Sequence, residues 1–214
     1  MPGHLDAGDF SIWLAALRTA LINNTGTDVP CGDCAACCRS SYFIHIHPEE
    51  KSTVERIDKR LLFPAPGLPR GHKILGYDET GRCPMFVNHS CSIYEYRPLT
   101  CRQYDCRIFA ATGISPGEEE KAKVKKQINR WQFSFPEKRD RDWEAALKTT
   151  VQFLQEHAKR FQEGIIPENP TRLAVLAIKV CDVFVGVGNI ILSDVPEKIR
   201  EITEASVLFD QNSK

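Results

Sequence analysis

The chain has 214 residues, of which 42% are hydrophobic, and its 28 Lys and Arg residues are balanced by 28 Asp and Glu residues. A chain of this length and apolar content can bury one core without disulfide cross-links, so we expect a single domain. The balanced charge excludes the basic field that non-specific nucleic-acid binding needs. We find neither a secretory signal nor an apolar run of membrane-spanning length. We therefore expect a cytoplasmic protein with no nucleic-acid or membrane partner.

Apolar periodicity predicts helices near both ends of the chain. Residues 9–24 bring Phe10, Trp13 and Leu17 to one face, and Gly26 follows the end of the pattern. A second helix is predicted to begin at Pro48, because proline is tolerated in the first turn of a helix. The remaining predicted helices cover residues 48–62, 118–131, 141–163, 170–184 and 194–208.

Strands are expected in only two places. Residues 42–47 alternate in the manner of a half-buried strand, and residues 73–77 form a second predicted strand. Residues 63–71 are rich in proline and glycine and predict a loop, and residues 78–107 read as mostly irregular chain. The predicted fold is therefore mainly α-helical, with an irregular cysteine-rich metal-binding core and two short strands.

Composition changes after residue 116, where charged helical patterns begin. We expect residues 1–214 to form one domain with two regions. A cysteine-cluster metal-binding region covers residues 25–110, and a helical C-terminal region covers residues 116–208.

Eight of the nine cysteines fall into two groups. The first group has the spacing C-x2-C-x2-C-C, and the second follows about fifty residues later. Thiolates at such spacing can surround a soft metal ion or an iron–sulfur cluster, and a reducing compartment disfavours disulfides. The predicted metal ligands are Cys31, Cys34, Cys37, Cys38, Cys83, Cys91, Cys101 and Cys106. The ninth cysteine, Cys181, lies in an apolar helical pattern and is predicted to be a core residue.

Arginines lie close to the cysteines in the sequence. Eight thiolates would carry more negative charge than the bound metal returns, and positive neighbours would offset the rest. Arg97 and Arg102 lie inside the second group, and arginine can donate to sulfur without losing its charge. Tyr94 offers a hydroxyl donor beside them. We predict that Arg97, Arg102 and Tyr94 contact the bound cofactor.

The identity of the metal stays open at this point. The spacing C-x2-C-x2-C supplies three corners of a cubane cluster and favours iron–sulfur, whereas tetrahedral zinc sites use ligand pairs and are usually structural. His45 and His47 share one face of a predicted strand and could supply nitrogen ligands. Because cysteine ligands are plentiful, we interpret both histidines as half-exposed strand residues.

The cysteine pattern resembles that of the CxxCxxCC cysteine-cluster family. The matching residues are the first cysteine group, the run Cys83-Pro84-Met85-Phe86, and the run from Cys91 to Cys106 that contains Tyr94-Glu95-Tyr96-Arg97-Pro98. The resemblance implies a zinc, iron or iron–sulfur site, and it includes a distant relation to flagellin lysine N-methylase, an iron–sulfur enzyme. A structural or interaction module stabilised by zinc, with an unknown protein partner, and a cluster-dependent methyltransferase are thus the alternatives. No catalytic residue is predicted.

Overall fold

The computed structural model describes residues 3–27, 29–30, 34–117, 119–188 and 191–212. Within these ranges the α-helices are α1 Phe10–Ile22, α2 Lys51–Glu55, α3 Leu99–Gln103, α4 Arg107–Thr112, α5 Ala122–Ile128, α6 Lys138–Glu156, α7 Pro170–Val180 and α8 Val195–Gln211. The β-strands are β1 Leu5–Asp9, β2 Ile44–Ile46, β3 Leu62–Pro64, β4 Lys73–Leu75, β5 Phe86–Val87, β6 Ser90–Cys91 and β7 Trp131–Ser134. None of the helices within these ranges is both long and apolar enough to cross a membrane.

The chain divides into two compact units. The helical unit consists of residues 1–24, 106–116 and 128–214, and the cysteine unit consists of residues 25–105 and 117–127. These boundaries differ from the predicted regions, because residues 106–116 belong to the helical unit and residues 117–127 to the cysteine unit. The expectation of one domain stays a prediction.

The helical unit is organised around α1. Phe10 and Trp13 are buried there, and their rings contact the ring of Phe133 at centroid distances of 5.1 and 4.8 Å. Strands β1 and β7 pair in parallel beside this contact, in a register that begins at Leu5 and Trp131. The pairing was not predicted, because each strand is short and its partner lies far away in sequence.

Asp140 connects the first turns of α1 and α6. Its Oδ1 accepts from the backbone N–H of Ser11, and its Oδ2 accepts from that of Glu137, both at 2.9 Å. Glu137 is the N-cap of α6, so the two residues form a reciprocal capping box. Hydrogen bonds from Ser11 lower the pKa of the Asp140 carboxyl, which is buried.

The cysteine unit contains a three-stranded antiparallel sheet in the order β2-β4-β3. Successive side chains of a strand point to opposite faces, so Ile44 and Ile46 share one face of β2 and His45 lies on the other. The inner face covers a cluster of buried apolar residues. Its members are Ile46, Ile57, Leu62, Leu75 and Ile93, and Ile44, Val54, Leu61, Cys83, Met85 and Cys91 pack against them.

The predicted irregular core with two short strands is therefore wrong. The cysteine-rich region carries its own sheet, its own apolar cluster and the β5–β6 hairpin. β3 lies in the stretch that was expected to be a loop, and Pro64 fits there because β3 is an edge strand that need not donate along its outer side. The two predicted strands contain β2 and β4.

The metal-binding part of the predicted core also needs correction. Among the residues that the structure describes, no three His, Cys, Asp or Glu side chains are already arranged to hold a metal ion. The side chains described below are neighbours, but no three of them converge on one point.

Helix lengths also differ from the predictions. The helix expected over residues 48–62 is limited to α2 and a 3-10 turn at Lys59–Leu61. The helix expected over residues 118–131 is the shorter α5, and Trp131 belongs to β7. Helices α1, α7 and α8 confirm the corresponding predictions, with shifts of at most four residues at their ends. The helix predicted over residues 141–163 is also present as α6, but α6 begins at Lys138 and ends at Glu156.

Candidate metal centre

Backbone hydrogen bonds join the two cysteine groups. The N–H of Cys83 donates to the carbonyl oxygen of Cys38 at 2.8 Å, and the N–H of Ser41 donates to the carbonyl of Gly81 at 3.0 Å. Gly81 has a φ of +75°, and a Cβ at this position would collide with Oγ of Ser41. The turn before Cys83 therefore requires glycine in order to approach the first cysteine group this closely.

The β5–β6 hairpin and the turn before it hold Cys83 and Cys91 against the apolar cluster. The N–H of Phe86 donates to the carbonyl of Cys83 at 2.9 Å, and Phe86 pairs with Cys91 across β5 and β6. Both cysteines pack against the buried residues beneath the sheet. Apolar packing and the tight turn thus place these two sulfur-bearing residues together.

Cys101 is carried by α3, which is anchored to the sheet and to the turn after it. Oε1 of Glu50 accepts from the N–H of Leu99 at 2.6 Å at the start of the helix. Oγ1 of Thr100 donates to the carbonyl of His45 at 2.8 Å. A five-residue helix cannot hold its own position by internal hydrogen bonds, so contacts such as these two help to determine where Cys101 lies.

The thiols of Cys37 and Cys38 interact directly. A hydrogen bond from the thiol of Cys38 lowers the pKa of Cys37 to about 7, although burial of the thiol opposes this effect. The same hydrogen bond raises the pKa of Cys38, and burial raises it further. Cys38 is thus the donor and Cys37 the acceptor of this hydrogen bond.

Further thiols lie within electrostatic range of this pair. Burial raises the pKa of Cys101 to about 12, and the charges of Cys37, Cys83 and Cys91 add to the increase. Burial also raises the pKa of Cys83, and Cys91 and Cys37 again contribute. The charges of Cys37, Cys83 and Cys91 thus all act on the thiol of Cys101, although the four cysteines come from both groups.

Arg97 is the positive charge that acts on these thiols. It lowers the pKa of both Cys37 and Cys101, and its guanidinium lies 4.0 Å from the centre of the Tyr94 ring. Arg102 directly follows Cys101 in α3, and its carbonyl accepts from the N–H of Thr27 at 2.9 Å. Of the three predicted cofactor contacts, Arg97 and Tyr94 thus contact each other, and the contact of all three with a cofactor stays a prediction.

The other predicted ligands are distributed differently. Sγ of Cys34 accepts from the N–H of Ala36 at 3.5 Å, and Cys31 lies outside the described residues. Cys106 is buried in the helical unit, where Nε1 of Trp131 donates to its sulfur at 3.2 Å.

The thiol of Cys181 donates to the carbonyl of Ile178 at 3.4 Å. Burial raises the pKa of Cys181 to about 11, which confirms its prediction as a core residue.

The donor set fits a thiophilic metal by its chemistry. Several thiols lie in one compact unit, where Cys37 is exposed and the others are half-buried. The charges of these thiols raise the pKa of Cys83 and Cys101, an effect that a bound cation would reverse. Imidazole ligands do not fit equally well, because Nε2 of His45 lies 2.9 Å from Nδ1 of His72 in a mutual hydrogen bond.

Sequence reasoning missed the residues that hold this arrangement in place. Glu50, Thr100 and Lys121 bond to backbone groups that are 49, 55 and 81 residues away. No periodicity or spacing marks such contacts, because each depends on the tertiary fold.

Comparison with curated proteins and with solved structures gives no match. One family model matches, and it includes both cysteine groups as well as α5. The resemblance recognised from the cysteine spacing is thereby confirmed: residues 30–131 match CxxCxxCC, described as a "putative zinc- or iron-chelating domain".

Proposed function

We propose that the cysteine unit binds one thiophilic metal centre through Cys37, Cys83, Cys91 and Cys101. The observation that carries this proposal is the hydrogen bond from the N–H of Cys83 to the carbonyl of Cys38, which joins the two cysteine groups. The shared packing of Cys83 and Cys91, together with the anchored helix of Cys101, supports the same set.

These four ligands form a smaller set than the eight cysteines of the motif. Cys38 lies beside the proposed ligands and donates to Cys37, so we assign it to the environment of the metal. Cys31 and Cys34 precede Cys37 and are candidates to replace one of the four ligands. Cys106 is left out of the set, because it is buried against Trp131 in the helical unit.

Arg97 is proposed to offset thiolate charge at this centre. Cysteine binds metal as a thiolate, so four ligands carry more negative charge than one divalent ion returns. Arg97 acts on Cys37 and Cys101 and is held by the ring of Tyr94. A fixed guanidinium keeps its charge at every relevant pH and suits this role better than lysine would.

The centre is proposed to be an iron–sulfur cluster, with zinc as the alternative. Support for iron–sulfur comes from the spacing C-x2-C-x2-C, and the description of the family allows both metals. A bound cluster would supply electron transfer, whereas a closed four-thiolate zinc site is usually structural. Protein purified without oxygen should be brown and bleached by dithionite. Colourless protein with near-stoichiometric zinc, and without iron uptake on reconstitution, would assign zinc instead.

The ligand assignment is tested by metal analysis of single variants. Cys37→Ser, Cys83→Ser and Cys101→Ser should each lose most of the bound metal, whereas Cys181→Ser and Cys106→Ser should keep it. Circular dichroism separates the loss of a ligand from a failure to fold. Full metal content in folded Cys83→Ser and Cys101→Ser would contradict the proposed site.

A further inference from the structure

We propose that Lys121 is a positioning residue that holds the loop of Cys37 and Cys38 in its metal-binding conformation. The inference rests on the proposed function, because it assigns a partner to the same thiol site. Lys121 ends a 3-10 turn at Glu119–Lys121, just before α5. It lies well beyond the last cysteine of the motif but within the family match.

Lys121 bonds to the chain directly after the cysteine pair. Its Nζ donates to the carbonyl of Ser40 at 2.5 Å and to that of Ser41 at 3.2 Å. The same ammonium lies 4.0 Å from the centre of the Tyr42 ring. Nζ of Lys123 donates to the carbonyl of Arg39 at 3.2 Å. Three consecutive carbonyls after Cys38 thus accept hydrogen bonds from two lysines of one short segment.

This stretch of backbone needs such support. Ser41 has a φ of +54°, a conformation that few residues other than glycine adopt. Ser40 is fully buried, and its hydroxyl donates to the carbonyl of Ala36 at 2.7 Å, across the turn that contains Cys37. Without the ammonium, two carbonyls in a half-buried place would lose a charged donor, and the turn would relax.

A lysine suits this position for a definite reason. An ammonium has three donors, so it can bond to two consecutive carbonyls while its charge faces an aromatic ring. The hydroxyl of Tyr42 lies 2.9 Å from that of Tyr104, and Tyr104 directly follows the helix of Cys101. Lys121 and Tyr42 therefore link the first cysteine loop to the segment of the second.

The test compares metal affinity in three variants with the wild-type protein. Lys121→Met keeps the aliphatic stem but removes the donors and the charge, and Lys126→Met makes the same change at an exposed position of α5. We expect Lys121→Met to weaken zinc binding by ~10–100-fold, as loss of an outer-shell contact does. Lys126→Met should bind as the wild type does, and Lys121→Arg should restore most of the affinity.

The readout must separate positioning from general stability. Affinity is measured by chelator competition at a temperature where circular dichroism shows all variants folded, and the visible spectrum of the cobalt-substituted protein reports on the ligand geometry. The proposal is supported if the cobalt spectrum is altered in Lys121→Met and resembles that of the wild type in Lys121→Arg. If Lys121→Met does not fold, Lys121→Gln, which keeps an uncharged donor, should bind with intermediate affinity.

Two outcomes distinguish this inference from the proposed function. If folded Lys121→Met or Lys121→Gln has the affinity and the spectrum of the wild type, the role of Lys121 is overturned. The metal site itself is tested separately, by the metal content of Cys83→Ser. If folded Cys83→Ser also kept its metal, the proposed metal site would be wrong as well.

Discussion

At the scale of single residues, the outer face of the sheet carries a histidine pair whose hydrogen bond depends on protonation. Nε2 of His45 and Nδ1 of His72 lie 2.9 Å apart, so one of the two nitrogens must be an unprotonated acceptor. Burial lowers the pKa of His45, and the charges of His72 and His47 lower it further, whereas Glu50 opposes them. The folded protein thus binds this proton less readily than the unfolded chain does.

This predicts a loss of stability in mild acid. Below about pH 6.5 the unfolded chain takes up the proton first, so the free energy of unfolding decreases as the pH falls toward the lowered pKa of His45. Above that pH the contribution is present in full. Denaturant titrations of metal-free protein at several pH values should show this slope. It should become shallower in His45→Phe and stay unchanged in His4→Ala, and an identical slope in His45→Phe would contradict the assignment.

At the scale of elements, the helical unit depends on one carboxylate shared by two helix starts. Asp140 accepts from the N–H groups of Ser11 and Glu137, so it satisfies backbone donors in both α1 and α6. The two donors come from segments that are far apart in sequence, and the carboxylate is buried where water cannot replace it. Capping here also holds α1 against α6.

We expect Asp140→Ala to lower the melting temperature by several degrees, because it leaves the buried N–H of Ser11 and the half-buried N–H of Glu137 without this acceptor. Asp140→Asn keeps one acceptor oxygen and should lose less. Asp142→Ala, which removes only an exposed contact to Lys138, is the matched control and should melt close to the wild type. Equal melting temperatures for Asp140→Ala and Asp142→Ala would refute the role of this cap.

At the scale of the whole molecule, the sheet and the cysteine loops of the cysteine unit are stabilised by different interactions. The sheet is stabilised by an apolar cluster that needs no metal, and each fully buried Leu or Ile contributes about 1.5–3 kcal/mol. The loops that carry the thiols depend on a few hydrogen bonds, on Lys121 and, in our proposal, on ligation. The sequence predicted an irregular cysteine-rich core, and the apolar cluster corrects that prediction.

Metal removal should therefore loosen part of the molecule and not all of it. After chelation, we expect hydrogen exchange to accelerate at the N–H groups of Cys83 and Ser41, which join the two cysteine groups. The paired N–H groups of β2 and β4, and the buried helices of the helical unit, should stay protected. Global loss of protection would show that metal holds the entire fold, and no change at Cys83 and Ser41 would argue against a metal at this site.

Local patterns allowed much of this protein to be predicted from its sequence. The grouping of the cysteines predicted the match to the CxxCxxCC model, and the periodicities located α1, α7, β2 and β4, because each of these signals is contained within a short segment. Cys181 was recognised as a core residue for the same reason, since its apolar neighbours are adjacent in sequence.

Only the tertiary structure shows how the two cysteine groups are joined. The N–H of Cys83 bonds to the carbonyl of Cys38, and an anchored helix carries Cys101, whereas Cys106, only five residues beyond Cys101, lies in the other unit. The parallel pairing of β1 with β7 and the contact of Lys121 with the first cysteine loop were equally invisible. These features depend on contacts between distant segments, and such contacts leave no period or spacing in the sequence.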